Sequence, residues 1–214
     1  MTRKKLVLFP FNGNAIEALD CLNTSEYDFL GFLDDDTNKS APEYEILGRD
    51  ILQHKEIHLL AVPGSPQSFL NRKELISSLV QDQDRFITLI HPTAHVGRGV
   101  TIGKNCLIMA GVVLTSNAVI GDHVCILPNS VIHHDSQVQD YTLIGSSVVV
   151  AGGTLIGRNC YIGSGSTIIN GIRIGDTSLV GIGSNVLKDV DSGSRMVGNP
   201  ARNLNLVLTD PNFK

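Results

Sequence analysis

The stretch IGSSVV-VAGGTL-IGRNCY-IGSGST-IINGIR-IGDTSL, residues 144–179, decides the fold because its residue types recur every six positions. The same frame extends over residues 90–191, which divide into seventeen hexads whose first residue is always Ile, Val or Leu. Glycine is second in eight hexads, and the fifth residue is small or slim in all but one hexad, as at Ala94, Cys106 and Ser130. Neither an α-helix nor an ordinary strand requires this period. The repeat predicts a parallel β-helix, in which each hexad supplies one flat side and one corner and turns its aliphatic residue inward.

Residues 1–89 follow a different pattern, in which apolar runs alternate with helical segments. We predict strands at residues 6–9, 29–33, 58–62 and 86–89. One helix is expected to begin at Asn14 as its cap, and a second to lie near residues 68–80 with Leu70 in its buried face. This alternation is typical of a small, mostly parallel, Rossmann-like sheet. We therefore expect an α/β domain over residues 1–89, an all-β domain over 90–191 and a C-terminal tail over 192–214.

Two polar segments follow strands of the predicted sheet. The turn PFNGN, residues 10–14, comes after the first strand, and the acidic run DDD, residues 34–36, comes after the second. Ligands of open α/β sheets bind at the carboxyl ends of the strands, so these segments predict a binding edge. A phosphate-binding loop would have two or three glycines in the first turn, whereas this turn has one.

Composition excludes several classes of protein. The net charge is −4 and only 18% of residues are charged, so no general attraction to nucleic acid is expected. The apolar run at residues 6–9 ends at Pro10, too short for an export signal or a membrane span, so a cytoplasmic protein is predicted. The four cysteines lack C-x-x-C spacing, which argues against a zinc or disulfide framework. A metal site built from His91, His95 and His123 is a minor alternative.

Three motifs carry a family resemblance: SVIHHD at residues 130–135, VAGG at 150–153 and VGNPAR at 197–202. With an α/β domain before a hexapeptide repeat, they resemble the bacterial sugar acetyltransferases that modify nucleotide-linked amino sugars and sialic acid. The resemblance covers nearly the whole chain and implies that the β-helix is left-handed. It also implies acetyl-CoA as co-substrate, no metal, and a homotrimer with its cofactor cleft between neighbouring β-helices.

The resemblance assigns roles to individual residues. His134 falls on the general base, with Asp135 as the nearby acid, and Gly152 falls on the glycine whose backbone N–H faces the thioester carbonyl. The acceptor would bind at the sheet edge. The resemblance implies that the cofactor binds to Leu143, Gly152, Ser164 and Ile182. It implies that the acceptor binds to Asn12, Gly13, Asn14, Asp34 and Asp35.

The sequence departs from the family at three places. The carboxylate that precedes the base in the family is replaced by His133, so either His133 or Asp135 is left to orient the base. A second family histidine falls on Leu143. The family's nucleotide-binding turn, Gly-x-Gly-Gly-His or Gly-x-Ser-Gly-His, reads PFNGN here. Without the resemblance, His133 and His134 are equally well explained as an exposed surface pair.

The function predicted from these features is N-acetylation of a nucleotide-linked amino sugar in surface-glycan biosynthesis, with acetyl-CoA as the donor. Two alternatives stay open: O-acetylation of sialic acid or another sugar hydroxyl, and a catalytically inactive assembly subunit. A homotrimer is also favoured by charge, because Lys104 is the only formally charged residue between Ile102 and Ile120. Surfaces with so little charge are typical of interfaces.

Overall fold

The N-terminal domain is built on a four-stranded parallel sheet. The computed structural model describes residues 2–36 and 38–204. The strands are β1 Lys4–Phe9, β2 Tyr27–Leu33, β3 Ile46–Leu47 and β4 Ile57–Ala61, in the spatial order β3-β2-β1-β4. The last four residues of β1 are all buried, as expected for a parallel strand covered on both faces. This sheet confirms the predicted Rossmann-like architecture.

The helices of this domain are shorter than predicted. Helix α1, Gly13–Glu17, begins at Asn12, whose side-chain oxygen accepts from the N–H of Ala15 at 2.9 Å, so the prediction of Asn14 as cap was wrong. Helix α2, Arg72–Ser77, follows a 3₁₀ turn that leaves Leu70 51% exposed, so its predicted burial was also wrong. The 3₁₀ turns are Ala18–Cys21, Arg49–Gln53, Phe69–Asn71 and Gln83–Arg85.

The predicted strand at residues 86–89 does not form as one element. Phe86 makes an isolated parallel bridge to Leu59, whereas Leu89 already pairs with Leu107 in the next domain. The chain therefore passes from the sheet into the repeat within a few residues.

The repeat forms a parallel β-helix with one two-residue strand per hexad. The seventeen strands are β5 Leu89–Ile90, β6 His95–Val96, β7 Thr101–Ile102, β8 Leu107–Ile108, β9 Val113–Leu114, β10 Val119–Ile120, β11 Cys125–Ile126, β12 Val131–Ile132, β13 Gln137–Val138, β14 Leu143–Ile144, β15 Val149–Val150, β16 Leu155–Ile156, β17 Tyr161–Ile162, β18 Thr167–Ile168, β19 Arg173–Ile174, β20 Leu179–Val180 and β21 Asn185–Val186. The strands of successive coils pair in register, for example Ile108 with Ile126, so the inward aliphatic residues stack into one core.

The coil has three sheets, named here by their first strand. The first sheet starts at β5, the second at β6 and the third at β7. Every third strand belongs to the same sheet, because three hexads complete one coil. The first coil has no coil beneath it, and for that reason the inward-facing Ile90 and Val96 are 39% and 41% exposed.

The β-helix extends beyond the predicted boundary at residue 191. Strand β22, Arg195–Gly198, pairs in parallel with β20, and β23, Ala201–Asn203, turns back antiparallel to β22. The hexad frame slips just before this point, because Ile174 pairs with Val190, 16 residues later. Strands β22 and β23 thus add to the first sheet of the β-helix, while residues 205–214 of the predicted tail lie outside the described residues.

The N-terminal domain packs on the outer face of the first sheet. Leu107, Cys125 and Leu143 are buried there in a cluster shared with Leu8 and Leu60 of the N-terminal domain. Fully buried Arg72 joins the two domains by donating to the backbone carbonyls of residues 63, 123 and 141. The side chain of Asn105 also pairs with both the N–H and the carbonyl of Ala61, at 2.7 and 2.9 Å. Among the described helices, none is long and apolar enough to cross a membrane.

Candidate active site

The corner between β12 and β13 presents two adjacent polar side chains to solvent. Asp135 has a left-handed backbone, with φ of 59°, a conformation that Asp and Asn adopt more readily than most residues. The side chains of His134 and Asp135 are 65% and 58% exposed, and His134 Nδ1 lies 2.8 Å from Asp135 Oδ2. His133, by contrast, makes no side-chain hydrogen bond with any described residue. The geometry therefore pairs His134 with Asp135.

The contact with Asp135 determines how His134 carries its proton. Hydrogen bonds from Asn117 and from His134 hold the pKa of the Asp135 carboxyl below its ordinary value. The carboxylate is then ionised at neutral pH and accepts from Nδ1–H of the neutral imidazole, which leaves the lone pair on Nε2. No described residue forms a hydrogen bond with Nε2. This is the protonation state that a general base requires.

The ring of His134 lies over Gly152 in the next coil. A Cβ at residue 152 would stand 2.6 Å from Nε2 and 2.7 Å from Cε1, so only glycine leaves the ring in this place. Gly153 and Gly171, further up the same corner, have open space where their side chains would be. The corner above His134 is therefore an open surface, on which the glycines leave the backbone accessible.

The backbone N–H of Gly152 has no acceptor among the described residues. In four other hexads the N–H at the same position is capped by a side chain from the next coil, but Asn170, which occupies that place above Gly152, forms no such bond. The capped pairs are Lys104 with Asp122, Asp122 with Asp140, Ser146 with Ser164, and Arg158 with Asp176. Gly152 thus offers a free donor beside His134, suited to an oxygen that gains negative charge.

The other residues predicted to bind the cofactor lie elsewhere in the chain. Ser164 and Ile182 stand on the corner between the first and second sheets, where Ile182 is 77% exposed. The second sheet separates that corner from His134. Leu143 is 2% exposed and packed between the two domains, so its side chain is not available to a cofactor and the prediction for it is withdrawn.

The predicted acceptor edge is present in the N-terminal domain, but several of its side chains are engaged internally. Asp34 is 4% exposed; its Oδ2 accepts from Phe11 N–H at 2.9 Å and pairs with Lys39 at 2.8 Å. Asn12 caps α1. Asp35 forms two hydrogen bonds with Arg49, which lowers the pKa of the Asp35 carboxyl. The turn and the acidic run therefore share one edge, where Asp34 and Asn12 shape the surface and Gly13 and Asn14 remain accessible.

A cavity of about 280 Å³ opens beside this turn, between α1 and the segment that follows β2. Phe11, Ile16, Pro42 and Tyr44 supply apolar walls, and Ser40 and Glu43 supply polar groups. Sequence analysis missed residues 40–44 because they carry no motif, and only the fold brings them to the edge.

The role of Asp34 can be tested by substitution. Asp34→Ala removes the acceptor for Phe11 N–H and the partner of Lys39, so the turn at residues 10–14 should lose its position. For the acetyl transfer that the sequence predicts, we expect the acceptor KM to rise roughly 10-fold, because one buried charge-assisted contact is lost, with little change in the KM for acetyl-CoA. Asp36→Ala, at the exposed end of the same run, is the control. Equal effects on both substrates would contradict this assignment.

The remaining histidines do not form a second site. His123 is 4% exposed, stacks on Tyr141 at 4.5 Å and has a pKa lowered by burial, so it does not reach the open corner. His91 bonds to Thr93. In the part of the chain that the structure describes, no group of three or more His, Cys, Asp or Glu side chains is placed to hold a metal.

Comparison with protein families supports the repeat. The family model for the bacterial transferase hexapeptide (six repeats) matches residues 117–152 and 135–170, and that for the hexapeptide repeat of succinyl-transferase matches residues 94–116 and 153–188. No curated protein matches this chain.

Solved structures match nearly the whole chain. A mutant of perosamine N-acetyltransferase from Caulobacter crescentus, in complex with CoA and GDP-perosamine, is 23% identical over 95% of this chain and 97% of that one, with a TM-score of 0.83. The acetyltransferase domain of PglB from Neisseria gonorrhoeae, in complex with acetyl coenzyme A, is 23% identical over 95% and 100%, with a TM-score of 0.82. WeeI from Acinetobacter baumannii is 25% identical over 95% and 100%, with a TM-score of 0.81.

The repeat models and the solved structures agree with the fold described above. The chain carries a hexapeptide-repeat β-helix after an N-terminal α/β domain, and the predicted left-handed β-helix is confirmed. It has the two-domain fold of the bacterial sugar acetyltransferases, as the motifs around residues 130–135 and 150–153 indicated.

Proposed function

We propose that this protein transfers the acetyl group of acetyl-CoA to the amine of a nucleotide-linked amino sugar that is used to build surface glycans. The observation that carries the proposal is the pairing of His134 with Asp135 over Gly152, which puts a base and a free N–H donor at one open corner. The similar proteins bind CoA and GDP-perosamine, or acetyl coenzyme A, and we extend those ligand classes to this chain.

In the proposed reaction, His134 Nε2 accepts a proton from the sugar amine as its nitrogen attacks the thioester carbonyl carbon. The carbonyl oxygen becomes negatively charged, and the N–H of Gly152 donates to it. When the tetrahedral intermediate collapses, the C–S bond breaks and the CoA sulfur leaves with the proton returned by His134. Asp135 holds Nδ1–H throughout and stabilises the transient imidazolium, which assigns the orienting role to Asp135 rather than His133.

The acceptor is proposed to bind at the edge of the N-terminal sheet. Its nucleotide base would enter the cavity lined by Phe11 and Tyr44, and its phosphates would approach Gly13 and Asn14 at the start of α1. This arrangement assigns acceptor choice to the α/β domain and the chemistry to the β-helix. A cytoplasmic location follows as part of the proposal, since acetyl-CoA and nucleotide sugars are used there.

We also propose a homotrimer, because the cleft is incomplete in one chain. His134 and Gly152 lie at one corner, while Ser164 and Ile182 lie beyond the second sheet, so one cleft can use both sets only if two β-helices are side by side. The outward residues of the second sheet favour such contact: Val113, Val131 and Val149 stack in three successive coils as an uncharged stripe.

This assembly leads to a direct test. Val131→Glu places a charge in the middle of the stripe, so a trimeric mass in light scattering should fall to the 23.1 kDa of the chain, with the far-UV spectrum retained. The rate of acetyl transfer should fall together with the trimeric mass. Gln137→Glu adds the same charge on the outer side of the third sheet and should leave the mass unchanged. A parent protein that is an active monomer would refute the trimer.

A panel assay tests the function itself. Release of CoA thiol is measured with acetyl-CoA and UDP-, dTDP- and GDP-linked amino sugars, with sialic acid in parallel. Turnover of an amino sugar supports the proposal, whereas turnover of sialic acid alone supports the O-acetylation alternative, which the unusual turn at residues 10–14 favours. If none of the sugars is turned over, the result supports the alternative that the protein is a catalytically inactive assembly subunit.

A further inference from the structure

A third side chain belongs to the pair formed by His134 and Asp135. Asn117 lies one coil below Asp135 at the same corner, and its Nδ2 donates to Asp135 Oδ1 at 3.0 Å. The other oxygen, Oδ2, is the one that contacts His134 Nδ1. Each oxygen of the carboxylate is therefore bound by a different side chain, one from its own coil and one from the coil below.

The backbone places Asn117 for this contact. Asn117 and Asp135 both have left-handed backbones, with φ of 62° and 59°, so their side chains leave the corner in the same direction. The amide orientation is fixed from both sides. Its oxygen occupies the space above Gly99, where a Cβ would come within 2.5 Å, and only its NH₂ group can donate to a carboxylate.

Asp135 needs such a partner because it is exposed. With 58% of its side chain in solvent, the carboxylate has no packing that would stop it from rotating away from His134. A donor on Oδ1 resists that rotation and favours the ionised form. Asn117 is itself exposed, and its side chain donates to Asp135 and forms no hydrogen bond with His134.

We propose that Asn117 is a positioning residue for the acetyl transfer, which holds the Asp135 carboxylate in the orientation that keeps His134 Nε2 available as a base. The inference rests on the proposed function, and it adds a member that the sequence motif at residues 130–135 does not contain. Asn117 acts indirectly, because it fixes the orientation of the Asp135 carboxylate, which in turn fixes the orientation of the His134 imidazole.

The matched control is Asn129, which has the same residue type and backbone but no such contact. Its φ is 61°, and its amide oxygen lies above Gly111 as that of Asn117 lies above Gly99. No described residue hydrogen-bonds to its side chain. A role for asparagine in corner geometry alone would therefore give the same result at both positions.

The experiment compares Asn117→Gly and Asn117→Asp with Asn129→Gly and Asn129→Asp. Glycine adopts the left-handed conformation without strain, and aspartate keeps the shape but has no N–H to donate. We expect both Asn117 variants to lower kcat roughly 5–30-fold, the effect of one lost hydrogen bond, with the KM for acetyl-CoA within about 2-fold of the parent. Both Asn129 variants should match the parent. Parental kcat in Asn117→Asp would overturn the proposal.

A second readout does not depend on turnover. The ¹⁵N signals of the His134 ring, identified with His134→Ala, show at one neutral pH which ring nitrogen carries the proton. In Asn117→Gly the carboxylate is less well held beside Nδ1–H, so the fraction of rings with the proton on Nδ1 should fall. Arg98, Lys188 and Asp189, the other charged residues of the same corner, and adjacent His133 are unchanged in the comparison. If no sugar is acetylated, the proposed function fails, and unchanged His134 ring signals would separately refute the role of Asn117.

Discussion

His134→Ala should lower kcat by about 10²–10⁴-fold at saturating substrates, the usual contribution of a general base. Among the described residues of this corner, only His134 has one ring nitrogen bonded to a carboxylate and the other ring nitrogen without a hydrogen bond. No described neighbour can therefore replace it as the base. Affinity for acetyl-CoA, measured by calorimetry, should change little because the imidazole acts on the acceptor. Because the side chain is exposed, the fold should also survive its loss.

The pH dependence adds a second check on His134. Asp135 has a pKa below its ordinary value, so this carboxyl stays ionised through the range in which an imidazole titrates. A loss of activity at a pH where this carboxyl is still ionised therefore does not come from Asp135, and it should be absent from the residual rate of His134→Ala. His133→Ala is the matched control, with near-parental kcat expected. A severe loss in that variant, with mild effects of Asp135→Asn, would transfer the orienting role to His133.

Gly152→Ala should lower kcat nearly as much as His134→Ala does, by about 10²-fold or more. The added methyl would lie within 3 Å of two atoms of the His134 ring, and the exposed ring would yield before the backbone does. The base would then leave its place beside the Gly152 N–H, and a displacement of about 1 Å in a catalytic group costs on the order of 10² in rate. Thermal unfolding should stay close to that of the parent, because the ring can turn into solvent.

The control for Gly152→Ala is a side chain added at another corner. Gly193 has φ of 73°, and a Cβ at this residue would meet no described atom within 4 Å. Asparagine tolerates that backbone, so Gly193→Asn should keep its activity. NMR of the His134 ring would distinguish displacement from misfolding in Gly152→Ala. Parental kcat with a displaced ring would show that the base lies elsewhere.

The β-helix could be predicted from the sequence because its determinants are local and repeated. An inward aliphatic residue in every hexad, as at Ile144, Ile156 and Ile162, encodes both the period and the burial, and each coil repeats the same packing as the one below. The boundary at residue 191 could not be predicted, since the slip that pairs Ile174 with Val190 appears only when strands are matched across coils.

The candidate active-site corner was partly predictable. The motif at residues 130–135 identified His134 and Asp135, but it left the orienting group open, because adjacent side chains at a corner can point in different directions. The torsion of Asp135 resolved this by turning its carboxylate to Nδ1. Asn117 had no sequence signal at all, since it precedes Asp135 by 18 residues and meets it only when the coil closes.

By itself, the sequence determined the period, the inward residues and the order of the two parts of the chain, all of which depend on residues close together in the chain. The resemblance of a short motif added His134 as the proposed base. Only the tertiary structure decided which residues are buried where no ligand can reach them, and which side chains form hydrogen bonds between neighbouring coils. Leu143 was assigned to the cofactor, but the N-terminal domain covers it. Arg72 had no predicted role, although it joins the two domains by donating to two carbonyls of the β-helix, at residues 123 and 141. The physical reason is that burial and long-range hydrogen bonds depend on how distant segments pack, which a local pattern of residue types does not encode.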